Sequence, residues 1–234
     1  MKHRFYSKSK KEQRQIQFWI ALAVIVIILL ALSLSWITGI YLFVILISWI
    51  ALSIIAPFFD APSLKKSGGL IYYSPLFISE KPKNGMVKIH GGTLFDYVFV
   101  IDPEMNGKQR TTFIIQQYLE GLLKLIEAHE INKHDDLLIR GTSYIINKRT
   151  AQRMGFKVVK TDSLQYLILI FNYFNVLTTH SLAKGKLSFP KMEATKTFEA
   201  KLTELVERKE HIERLNEMMK SALANKLAQD GGQK

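Results

Sequence analysis

The hydrophobic pattern divides the chain unevenly. Between Arg14 and Asp60 no residue is charged, and the middle of that interval reads FWIALAVIVIILLALSLSWITGIYLFVILISWIALSIIAPFF. One spanning helix needs about 20 apolar residues, so a run about twice that length predicts two spans. The break falls at 33–39, where small and hydroxyl residues flank Trp36, an amphipathic side chain suited to the headgroup level. The expected spans are 18–34 and 40–56, with Pro57 ending the second, and together they form a hairpin over 18–59.

Beyond a Pro, Ser, Gly and Lys-rich linker at 60–69, the period shortens. Aromatic and branched residues at 70–78 predict a strand, and 86–101 reads as two strands around His90-Gly91-Gly92 or one bent there. Its second half, 97–101, is apolar on both faces, as a central strand requires. A loop at 102–107 follows. Phe113, Ile114, Gln117, Tyr118, Gly121, Leu122, Leu125 and Ile126 then recur at threes and fours, predicting an amphipathic helix over 111–129. Next come a strand at 137–146, a short helix at 147–154 capped by Asn147, and a strand at 156–160. This order predicts an α/β domain over 70–190, a mixed sheet with flanking helices.

Within it, 163–182 (SLQYLILIFNYFNVLTTHSL) predicts a helix that is apolar over most of its surface, broken by Gln165, Asn172 and Asn175. It is either a core helix or an interfacial one that brings Tyr166, Phe171, Tyr173 and Phe174 to the headgroups. Thr178, Thr179 and His180 arrive too soon for a third full span. From 191 to 228 the pattern predicts one long amphipathic helix, with Phe198, Leu202, Leu205, Ile212, Met219 and Leu223 in four-three alternation. Lys209 and Asn216 take the core positions that break this seam, as in coiled coils with a specified register. The helix is expected either to pair, with a second copy or a partner protein, or to pack on its own domain. A disordered tail is expected at 229–234.

Charge adds orientation. Lys2, Arg4, Lys8, Lys10, Lys11 and Arg14 crowd the arm at 1–17, and Lys65, Lys66, Lys81 and Lys83 follow the hairpin, whose turn is uncharged. The positive-inside rule then puts both termini in the cytoplasm, in an inner or plasma membrane. A signal peptide would have a far shorter apolar core and a small-residue cleavage site, whereas the tight turn and brief arms also fit a re-entrant hairpin that never crosses. A net charge of +12 with 48% hydrophobic residues suits a protein facing anionic lipid. Nucleic acid is not the expected partner, because basic residues after 100 are interspersed with acidic ones and no stacked-aromatic or zinc-finger pattern occurs. The chain contains no cysteine, which excludes disulfides, thiol nucleophiles and cysteine metal sites.

No GxSxG, GxxxxGK[ST] or HExxH pattern is present. His129, Glu130, His134, Asp135 and Asp136 cluster where a helix end and loop ordinarily carry charge, so no metal is expected. At 106–112, the segment Asn106-Gly107-Lys108-Gln109-Arg110 leads into a helix, where amides, helix dipole, Lys108, Arg110, Thr111 and Thr112 together suit an anion. Asn147, Ala151 and Gly155-Phe156 follow the next strand. This order, over 86–160, resembles the GCN5-related N-acetyltransferase (GNAT) fold, in which a glycine-containing loop after the fourth strand binds the acyl-CoA pyrophosphate. The family's glycine pair is not reproduced, and NKRTAQRMGF is shorter than the corresponding segment and lacks its tyrosine. The resemblance implies acyl-CoA as cofactor, held by Gly107, Lys108, Gln109, Arg110, Thr111, Thr112 and Asn147. It implies acyl transfer from acyl-CoA or an acyl-carrier donor to an amine, with Glu80, His90 or Asp96 as base. The other expectation is a non-catalytic membrane adaptor that associates through its C-terminal helix.

Overall fold

In the computed structural model, which describes residues 2–130, 137–143 and 148–231, the charge-free interval forms two antiparallel helices, α1 (Lys10–Thr38) and α2 (Leu42–Ser67). Both are long and apolar enough to cross a membrane. Ser9 and Glu12 close a capping box at the start of α1, and Gly39, at φ 73°, ends it in the left-handed conformation that glycine adopts without penalty. Contrary to the sequence expectation, α2 does not stop at Pro57. It runs on through Pro62 to Ser67, so most of the expected linker at 60–69 is helical.

The rest of the chain builds a six-stranded mixed sheet from β1 (Leu70–Ser74), β2 (Phe77–Glu80), β3 (Met86–Gly91), β4 (Leu138–Ser143), β5 (Lys157–Val159) and β6 (Lys196–Lys201). The spatial order is β1-β2-β3-β4-β6-β5, and β3 with β4 is the parallel pair. Its crossover contains α3 (Leu94–Val100) and the long α4 (Gly107–Glu130). After β4 come α5 (Lys148–Arg153), α6 (Ser163–Phe171), α7 (Tyr173–Lys184), α8 (Leu202–Val206) and α9 (Lys209–Gly231).

One sheet face carries the core. Val87, Ile139, Phe198 and Ala200 pack there with Leu122, Leu125 and Ile126 of α4 and with Leu205 and Ile212 of α8 and α9. Gly121 brings α4 down onto β2, since a Cβ there would lie 2.3 Å from that of Phe77. On the other face Arg140 pairs with Glu199 at 2.7 Å and His90 with Glu80 at 2.9 Å.

Two expected elements differ in kind. The segment 97–101 is not a central strand, because Leu94–Val100 is helical. Thr93 and Asp96 form a capping box, in which Thr93 N donates to Asp96 Oδ2 at 2.7 Å and Asp96 N to Thr93 Oγ1 at 3.4 Å. The segment 191–228 is not one helix either. Lys196–Lys201 is a strand inserted between β4 and β5, and Phe198 belongs to the sheet core. Helix α9 packs on α4 with Ile212 and Asn216 buried, and its backbone stays helical to Gly231, into the expected tail.

The basic arm is part of the fold. Phe5 is 1% exposed and packs edge-on against Phe95 of α3 at 4.9 Å. The Arg4 guanidinium donates to the carbonyls of Val98 and Ile101 at 2.7 and 2.9 Å, satisfying groups that the end of α3 leaves open. Both feet of the hairpin therefore stand on the same side as the sheet.

Candidate functional site

The parallel pair β3–β4 opens into a wedge. Ladder pairing between them runs from Met86 with Leu138 to Ile89 with Gly141 and ends there. Each strand nevertheless continues: β3 still pairs with β2 at Gly91, opposite Phe77, and β4 still pairs with β6 at Ser143, opposite Lys196. Gly92 then turns away toward α3, its N–H bonded to Leu76 O at 2.8 Å. Glycines permit the close approaches around this opening. A Cβ at Gly141 would lie 2.6 Å from Ile89 Cγ1, and one at Gly91 would lie 2.1 Å from the Tyr118 hydroxyl.

A cavity of about 450 Å³ fills the wedge. Its sheet side is formed by Gly91, Gly92, Thr142 and Ser143, its floor by Leu119, Leu122 and Phe198, and its far wall by Asn175, Val176 and Thr179 of α7 with Pro57 of α2. The Tyr97 and Tyr118 hydroxyls stand 3.2 Å apart along it, joining α3 to α4. Asn175 Oδ1 is buried without a partner among the described residues. The position, at the carboxyl ends of diverging parallel strands, is where open α/β sheets generally take ligands. Mostly apolar walls with a few polar groups are the usual makeup of a small-molecule site.

The residues expected to hold a phosphate lie elsewhere. Gly107 opens α4 against the end of α7, where a Cβ would meet Lys184 O at 2.1 Å. Asn106 Oδ1 caps the amides of Lys108 and Gln109, both at 3.0 Å. Arg110 donates to the carbonyls of Met105, Leu182 and Pro103. Thr111 bonds back to Gly107 O, while Thr112 bonds Lys108 O and accepts from Lys226 Nζ at 2.8 Å. Gln109 is buried and donates to Lys226 O. The structure thus gathers Gly107, Lys108, Gln109, Arg110, Thr111 and Thr112 into a first helical turn whose bonds hold α4, α7 and α9 together. Asn147 lies outside the described residues.

The three carboxylate and histidine bases separate likewise. His90 lines the mouth of the cavity, its Nε2 facing Glu80 Oε1 at 2.9 Å. Asp96 is fully buried and serves structure: it accepts from Tyr72 Oη at 3.0 Å and from Thr93 N and Oγ1, with His3 Nε2 3.2 Å away. Burial pushes the Tyr72 phenol up, and the Asp96 carboxylate adds to the shift. The Tyr6 phenol beside it is pushed up to about 12, chiefly by burial. The Lys65 ammonium sits 3.5 Å from the centre of the Tyr6 ring. In the acidic cluster, His129 Nε2 meets Tyr73 Oη at 3.0 Å and Glu130 pairs with Lys209 at 3.1 Å. His134, Asp135 and Asp136 lie outside the described residues.

Of the wedge residues, Gly91 and Gly92 stand out in the sequence only as a bend between strands, and Thr142 and Ser143 not at all. The signal that could have found them was the glycine pair directly after an alternating strand, followed by Thr93 and Asp96 in capping-box spacing. Comparison with protein-family models, curated proteins and solved structures returned no match. The fold and site define a mixed α/β domain carried on two apolar helices, with a cavity where the parallel strands part and the helices meet the sheet.

Proposed function

We propose that this chain is a membrane-anchored, acyltransferase-like domain of the cytoplasmic face. It holds an acyl thioester, from acyl-CoA or an acyl carrier, in the wedge between β3 and β4. The observation that carries this reading is the end of β3–β4 pairing at Ile89 and Gly141 while both strands run on, with an apolar cavity in the gap. An extended, amide-containing thioester arm can lie along such parted strand edges in the manner of an added strand. The acyl chain fills the apolar part of the cavity toward Pro57. The GNAT-like reading thereby moves from the Gly107 loop to the Gly91-Gly92 turn, where the strand actually ends.

In the reaction, an amine nitrogen attacks the thioester carbonyl, the carbon–sulfur bond breaks, and the thiol leaves. The proton released by the amine passes to a base. We assign that role to His90, which lines the cavity and whose Nε2 faces Glu80 Oε1 at 2.9 Å. The alternative, a non-catalytic adaptor, would have to use the outward face of α9, because Ile212 and Asn216 face α4.

Calorimetry of the full-length protein in detergent with a long-chain acyl-CoA tests the reading. Wild type should bind, and Val176→Trp, which fills the cavity from α7, should weaken binding at least about tenfold, or 1.4 kcal/mol. Arg110→Glu should leave binding unchanged if the protein remains folded. Wild type without measurable affinity would leave the adaptor as the surviving reading.

A further inference from the structure

Proline has no N–H, so each proline within a helix orphans the carbonyl four residues before it. In α2, Pro57 orphans Ser53 and Pro62 orphans Phe58. Both carbonyls are taken up by side-chain amides from other helices. Asn175 Nδ2 of α7 donates to Ser53 O at 2.7 Å, and Gln17 Nε2 of α1 donates to Phe58 O at 3.0 Å. Water would satisfy such carbonyls at a soluble surface, whereas hydrocarbon leaves them dependent on neighbouring protein.

The level of these contacts is set by the helix rise. Gln17 and Phe58 mark the base of the hairpin, just inside Arg14 and Asp60. Ser53 lies about 7.5 Å beyond that base and Trp49 about 13 Å, at 1.5 Å per residue, in a core about 30 Å thick. Phe174 packs edge-on against Trp49, with ring centres 5.5 Å apart. The start of α7 therefore sits alongside the apolar interior of α2, not at its base.

Helix α6 leads there. It has 9 residues, none of them buried, and Leu164 (63%), Leu167 (51%) and Phe171 (64%) are among the large exposed side chains. Gln165 is its only strongly polar side chain past the first residue. Nine residues of helix span about 13 Å, which equals the depth of Trp49. The polar donors near the bend are bonded within the chain, and Asn175 Oδ1 is a buried acceptor left without a partner among the described residues. Asn172 Nδ2 donates to Ile168 O at 2.9 Å, Thr178 Oγ1 to Phe174 O at 2.6 Å, and Thr179 Oγ1 to Asn175 O at 2.7 Å.

We infer that residues 163–176 form a third membrane element, a re-entrant bent helix whose partner is the lipid hydrocarbon. Helix α6 descends beside the hairpin, the chain bends at Asn172 near mid-depth, and α7 returns to the sheet. Asn175 fastens it by filling the backbone gap that Pro57 creates. The inference rests on α1 and α2 spanning a bilayer and is independent of what occupies the cavity. It places the Pro57–Asn175 wall of that cavity within the membrane.

Because the chain has no cysteine, single nitroxide labels can be placed on the full-length protein in phosphatidylcholine–phosphatidylglycerol vesicles. Phe171→Cys should match Ile25→Cys of α1, with high accessibility to oxygen and low accessibility to a water-soluble nickel chelate. Ser67→Cys should show the reverse. Chelate access at Phe171 like that at Ser67 would overturn the re-entrant element. So would spin–spin broadening between copies at Phe171, which would mean that a second chain covers α6. Chelate access at Ile25 would instead overturn the spanning hairpin beneath both. A thermal cycle tests the fastening: Asn175→Leu should lower the melting temperature by about 2–4 °C in wild type and clearly less in Pro57→Ala, where the backbone bond is restored. Equal losses in the two backgrounds would show that Asn175 does not serve the orphaned carbonyl.

Discussion

Asp96 shows how one carboxylate commits a stretch of chain. It caps α3, accepts from the Tyr72 hydroxyl and faces His3, so the N-terminal arm, α3 and β1 meet at one buried charge. The phenols around it give the junction a pH dependence. An unfolded tyrosine loses its proton near pH 10, while Tyr6 in the fold holds its proton to about 12. The folded state thus binds more protons than the unfolded state in that window. Its contribution is fully present below about pH 10 and is lost as pH rises through about 12. Melting temperature should accordingly fall between about pH 10 and 12, and Tyr6→Phe should reduce the fall. An unchanged slope in that variant would mean that Tyr6 is not one of the groups responsible.

At the scale of elements, the seam that reads as a pairing surface is distributed over three local structures. Phe198 is in β6, Leu202 and Leu205 are in α8, and Ile212 and Asn216 of α9 face α4. Asn216 Oδ1 accepts from Gln116 Nε2 at 3.2 Å inside that contact. Asn216→Leu should therefore destabilise the fold by about 1–2 kcal/mol, through loss of a buried hydrogen bond, and leave oligomeric state unchanged. Denaturant unfolding gives the first quantity and analytical ultracentrifugation in detergent the second. Stronger self-association in the variant would show that α9 leaves α4 to pair with another copy.

For the whole molecule, two independent observations constrain the hairpin. Lys and Arg flank both feet, and Phe5 and Phe95 hold the N-terminal foot against the domain that follows the other. Cysteines at Ser7 and Ser67 should react with an impermeant maleimide only after the membrane is opened, if both feet face the cytoplasm. Labelling of one position alone from outside would contradict both the charge rule and the docked arm.

The apolar hairpin was legible because exclusion of charge over a bilayer's length is a property of composition, readable residue by residue. The period of α4 was legible for the same reason: its core stripe repeats within one segment. Helix α3 was misread because an apolar run on both faces outweighed the capping box at Thr93 and Asp96, although that box stands in the sequence. Strand β6 carries a helical heptad pattern, and its state was decided by β4 and β5, partners far away along the chain. The candidate site was least legible. Gly91 and Gly141 matter because two strands part there, and Asn175 because Pro57 leaves a carbonyl open across a helix interface. Composition and periodicity determine which segments are long and apolar enough to cross a membrane and which helix covers the sheet. Strand register, the wedge and the pairing of orphaned groups are relations between distant segments, and only the tertiary structure decides them.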